Sequence, residues 1–149
     1  MEDPKAKLQA ALKEAMVNKD TERRDVIRLA MSAIKQVEID TRKTLSPEDI
    51  VGILQKEAKA RRETIDEQLK VGRAEEAEQG KRELEILESF LPEQLSREEI
   101  EALAREAITQ SGASSAKEMG KVMGVLMPKV KGKADGGLVN QVVRDLLNQ

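Results

Sequence analysis

Phe90-Leu91-Pro92-Glu93-Gln94-Leu95-Ser96-Arg97-Glu98-Glu99-Ile100, running on through Leu103, Ala104, Ala107 and Ile108 to Gly112, is the stretch that decides the fold. Pro92 pushes Leu91 out of helical space and closes the helix before it. Ser96 and Glu99 then form a capping-box pattern, in which a hydroxyl serves the first-turn amides and a carboxylate reaches back. The apolar residues that follow recur at three- and four-residue steps, the period of a helix buried on one face, and Gly112 is a left-handed stop. A helix end, a hinge and a helix start therefore lie side by side.

Upstream the same punctuation repeats. Leu8, Leu12, Ala15 and Met16 share a face of a helix over about Lys5 to Asn18; Asp20 caps a second carrying Val26, Ile27, Ala30, Ile34 and Val37. Ser46-Pro47-Glu48-Asp49 gives an N-cap serine, a proline where no amide is missed, and acids at the positive helix end. That third helix meets Gly72, and a fourth runs from Ala74 to about Phe90. Downstream, Ser115-Ala116-Lys117-Glu118 repeats the capping pattern, opening a helix with Met119, Met123 and Met127 that should break before Pro128. A last helix follows Asp135 and carries Leu138, Val139, Val142, Val143, Leu146 and Leu147. The sum is seven helices and no strand: an all-α fold, with a four-helix unit over 1–95 and a small three-helix unit over 96–149.

Composition agrees. Aromatics are 1% of the 149 residues, so the interior must be built from Leu, Ile, Val, Ala and Met, which suits helices better than sheets. Without Cys or His there is no disulfide, no thiolate or imidazole metal site and no Ser-His or Cys-His pair. The 26 Lys and Arg nearly balance 28 Asp and Glu, a net charge of -2, so polyanion binding has to be local. Met1-Glu2-Asp3-Pro4 has neither the apolar core of a signal peptide nor the arginines of a transit peptide, and no apolar run approaches the roughly 20 residues that span a bilayer. A soluble cytoplasmic protein with no membrane partner is expected.

The best anion site is the run from Lys117 to Lys133, where Lys117, Lys121, Lys129, Lys131 and Lys133 face one acid, Glu118. Lysines beside backbone amides and a helix start suit phosphate oxygens, with Gly132, Gly136 and Gly137 allowing close approach. A solvated lysine loop accounts for the charge pattern equally well. Lacking aromatics for base stacking, the run fits the shape and backbone of folded RNA better than a single strand. Gly120 and Gly124 beside the methionines read as a close helix contact, with a plastic partner-binding groove as the lesser alternative. Arg28, Lys35 and Glu38 share a helix face, and Lys59, Arg61, Arg62 and Glu63 cluster ahead of Arg73. Ion pairs at helical spacing are the expected explanation of both groups, a second basic surface the alternative. Ser111 to Lys117 reads as a helix-helix turn rather than a Ser-Lys hydrolase site, and Gly132-Lys133-Ala134 lacks the glycine and hydroxyl of a phosphate loop.

Gly112-Ala113-Ser114-Ser115, Met119-Gly120-Lys121-Val122-Met123-Gly124, Gly132-Lys133-Ala134-Asp135-Gly136 and Val139-Asn140 resemble the YqeY family and the tail domain of GatB, the tRNA-handling subunit of an amidotransferase. Glu38-Ile39-Asp40, Arg62-Glu63-Thr64-Ile65, Gly72-Arg73 and Phe90-Leu91-Pro92 extend the likeness over the whole chain, with Phe90 where the family has tyrosine. The resemblance implies an all-helical fold of two parts, the second GatB-tail-like, and contact with the body of a tRNA. It also carries the label of a carbon-nitrogen ligase with glutamine as amido-N-donor. The residues offer no nucleophile, metal cluster or nucleotide loop to support catalysis by this chain alone, and no cofactor is expected. Lys121, Gly132, Lys133, Asp135, Gly136 and Asn140 carry over from the resemblance as tRNA-binding residues; Lys129 and Lys131 join them on charge. A protein-only adaptor that docks on an amidotransferase or aminoacyl-tRNA synthetase through the methionine helix is the alternative.

Overall fold

The computed structural model describes residues 3–149. Among these there are seven α-helices, one single-turn 3-10 helix and no strand, so the chain is all-α. By its internal contacts it forms two compact units, Met1–Pro92 and Glu93–Gln149.

The first unit contains α1 (Pro4–Val17), α2 (Thr21–Thr41), α3 (Pro47–Lys70) and α4 (Ala74–Glu88). Each of the first three helices starts where a side chain can satisfy first-turn amides. The Asp3 carboxylate accepts from Lys5 N at 3.1 Å and Asp20 from Arg23 N at 3.1 Å, while Ser46 and Asp49 form a reciprocal capping box. Helix α1 packs along α2 and α3 along α4, around a core that includes Leu8, Ile27, Ile34, Ile50, Leu54 and Leu87. Phe90 is buried in that core, and the Arg23 guanidinium lies 5.4 Å from its ring centroid.

Some of the expected short-range ion pairs are replaced by tertiary ones. Arg61 Nη1 meets Glu83 Oε2 at 2.7 Å and Arg62 meets Glu88 at 3.6 Å, tying α3 to α4; Arg73 keeps a local partner, Glu76, at 3.7 Å. Glu38 does not pair with Lys35 on its own helix: it takes Lys5 Nζ of α1 at 2.8 Å.

The second unit contains α5 (Arg97–Ser111), a 3-10 turn over Ala116–Glu118, α6 (Met119–Val130) and α7 (Gly136–Leu147). Ile100, Ala104, Ala107, Val122, Leu126, Val130, Val139, Val142 and Val143 form its core. Glu93, Gln94 and Leu95 belong here because Leu95 N donates to Lys133 O at 2.8 Å and Gln94 Nε2 to Gly132 O at 3.0 Å.

Three expectations for this unit need correction. Helix α6 does not break before Pro128 but continues to Val130. The proline sits in the last turn, and Val130 beyond it is 1% exposed; burying such a side chain contributes roughly 1.5–3 kcal/mol, comparable with the ~3 kcal/mol that proline costs inside a helix. Second, Ser115 makes no side-chain cap; the contact seen here runs the other way, with the Ser114 N–H and hydroxyl both donating to Glu118 Oε1 at 3.4 and 3.1 Å. Third, Gly120 and Gly124 meet nothing: a Cβ built on either finds open space. The buried stripe of α6 is Val122, Leu126 and Val130, while Met119, Met123 and Met127 pack half-buried at its edge.

Candidate nucleic-acid interface

The turn between α6 and α7 is built by its glycine. Lys131 has φ -58 and ψ 125, Gly132 has φ +79, and Lys133 N donates back to Val130 O at 2.9 Å, the geometry of a type II turn. Such a turn requires a positive φ at its third residue, so Gly132 is fixed by conformation rather than by close approach of a phosphate. Ala134 N also donates to Val130 O at 3.1 Å, and the carbonyls of Gly132 and Lys133 accept from Gln94 and Leu95. With its backbone held from both sides, the turn presents Lys131 and Lys133 on a fixed loop, and both side chains are exposed.

Lys129 is exposed in the last turn of α6. Lys121 lies eight residues earlier on that helix, roughly 12 Å along its axis at 1.5 Å per residue, and its ammonium reaches Glu118 Oε2 at 3.5 Å. Lys121 is thus set apart from the Lys129–Lys133 group. Glu118 is held below the ordinary glutamate range, chiefly by the hydrogen bonds from the Ser114 hydroxyl and N–H, with a smaller part from Lys121.

Asp135 is the N-cap of α7 and accepts from Leu138 N at 3.2 Å. Its carboxylate already sits at the positive end of that helix and would repel a phosphate there, so Asp135 shapes the loop rather than holding an anion. Gly136 opens the helix and is half-buried. Asn140 is exposed one turn further in. Four residues on, the exposed Arg144 shares its face. Sequence reading missed Arg144; its spacing from Asn140 was the available signal. Ser111 is consumed by the α5 terminus, its hydroxyl donating to Ile108 O at 3.1 Å and accepting from Ala113 N at 3.3 Å, as a turn requires. Among the described residues no three acidic side chains come together as a metal site, and no helix is long and apolar enough to cross a membrane.

Charge in the second unit is sorted by element. Helix α5 carries Glu98, Glu99, Glu101 and Glu106 against Arg97 and Arg105. From Lys117 to the end of α7 the cations are Lys117, Lys121, Lys129, Lys131, Lys133 and Arg144, and the acids are Glu118, Asp135 and Asp145, all three engaged within the unit. No curated protein matches the sequence. Residues 5–147 match the family described as Yqey-like protein. With nearly its whole length matched, the chain belongs to the YqeY family.

Proposed function

We propose that the second unit binds structured RNA, with transfer RNA as its ligand, through phosphate contacts from Lys129 at the end of α6, from Lys131 and Lys133 on the α6–α7 turn, and from Lys121. One observation carries the proposal: from Lys117 to the end of α7 six cations face three acids, and all three acids are tied to neighbours in the same unit. Fixed loop lysines that converge on a polyanion suit backbone recognition, which positions an RNA without reading its bases. Asn140 and Arg144 extend the surface along α7. Binding of this kind is weak and largely insensitive to sequence, and it assigns the chain no catalytic step. The adaptor alternative would use the methionine helix, but Met119, Met123 and Met127 pack against the unit's own core.

Replacing Lys129, Lys131 and Lys133 together by Glu should abolish retention of tRNA in a gel-shift assay. The helical signal and melting temperature should barely move, because exposed charges contribute little to folding. Retention unchanged in the folded triple variant, or no retention by the parent protein at low salt, would overturn the proposal in favour of the adaptor.

A further inference from the structure

Between α1 and α2 of the first unit lies a groove of about 540 Å³. Its floor is apolar: Ile34 is buried, and Leu12 and Met31 are half-buried. Along its rim Arg28, Ser32 and Lys35 are exposed on one face of α2. Ser32 stands one turn from each cation. The acids that should neutralise those cations are engaged elsewhere. Asp25, three residues before Arg28, pairs with Arg24 at 2.9 Å; Glu38, three residues after Lys35, pairs with Lys5 at 2.8 Å, and both members of that pair line the groove. Among the described residues Arg28 donates to the Met16 sulfur at 3.9 Å, and neither Arg28 nor Lys35 has a carboxylate partner.

We infer that this groove binds a small amphipathic organic anion, a carboxylate or phosphate monoester with an aliphatic body. The arginine and lysine, spaced roughly 10.5 Å apart along the helix, are long enough to converge on an anion above Ser32, whose hydroxyl donates to it. The aliphatic body covers Leu12, Met31 and Ile34. The volume falls within the roughly 300–1,000 Å³ of small-molecule sites, which are mostly apolar with a few convergent polar groups. Each half of the ligand answers a separate feature: a bare anion leaves the floor wet, and a neutral chain leaves two cations unmatched. No aromatic lines the groove, so nothing stacks a base or ring there.

Calorimetric titration of the full chain with octyl phosphate, kept below its micelle-forming concentration, tests the inference. One saturable site per chain is expected, at least tenfold tighter than inorganic phosphate or the uncharged octyl glucoside. The double variant Arg28→Gln/Lys35→Gln should weaken binding at least tenfold. Ser32→Glu, which sets a carboxylate between the two cations, should do the same, and all three positions are exposed enough to leave the melting temperature unchanged. Equal affinity for octyl phosphate and inorganic phosphate, uptake only above the micelle-forming concentration, or undiminished binding by the folded variants would each overturn it.

Discussion

Glu118 locks the turn that feeds α6: its carboxylate takes the Ser114 hydroxyl and N–H on one oxygen and Lys121 on the other. The Ser114 hydrogen bonds favour the charged form, with Lys121 adding to them, so the folded protein holds this carboxyl below the usual range. A folded pKa depressed in this way adds stability that is present above the unfolded value and lost as pH falls through the folded one. The lock should therefore open only on the acid side of the ordinary glutamate range. In an NMR titration of the side-chain carboxyls, Glu118 should protonate below a free glutamate, and Ser114→Ala should raise it toward the ordinary value. A Glu118 that titrates normally in the parent would refute this. The sequence offered Ser115 as a cap, but its side chain caps nothing; Ser114 donates to Glu118 instead, and a 3-10 turn over Ala116–Glu118 precedes the α-helix. It also singled out Gly132 while missing its reason, since a type II turn is a matter of backbone angles that no side-chain pattern reports.

Among the helices, glycine has opposite meanings in two places. A Cβ at Gly80 of α4 would lie 2.9 Å from Ile65 Cγ1, inside the α3–α4 contact, whereas Gly120 and Gly124 of α6 face open space. Alanine is favoured over glycine in a helix by roughly 0.5–1 kcal/mol. Gly120→Ala and Gly124→Ala should therefore each stabilise the protein by up to about that amount. Gly80→Ala should destabilise it by about 1 kcal/mol, because overpacking of roughly 1–3 kcal/mol exceeds the helix gain. Chemical denaturation of the three variants checks the signs; a stabilised Gly80→Ala would mean that Ile65 repacks freely. Helix starts at Asp20, Ser46, Ser96 and Asp135 were legible because a cap is a local event within four residues. The end of α6 was not, because burial of Val130 depends on α5 and α7. Nor was the Glu38–Lys5 pair, which depends on how α1 lies along α2.

At the scale of the whole molecule, a net charge of -2 hides a local run in the second unit, Lys117 to Lys133, with five lysines and one acid. The five lysines from Lys117 to Lys133 were legible as a run, since they are close in sequence; Arg144, four residues after Asn140, stands apart from that run on α7 and drew no notice. An interface of this kind owes its affinity to displaced counterions rather than to a long-range field. If three or four lysines each neutralise one phosphate, the slope of log affinity for tRNA against log salt should be about -2 to -4, the weaker single-strand and stronger duplex coefficients setting the bounds. That salt titration of tRNA binding is the most direct measurement of the central claim. A slope in this range that flattens in the Lys129→Glu/Lys131→Glu/Lys133→Glu protein is the expected result. A slope near zero in the parent, or one unchanged by the triple substitution, would contradict it.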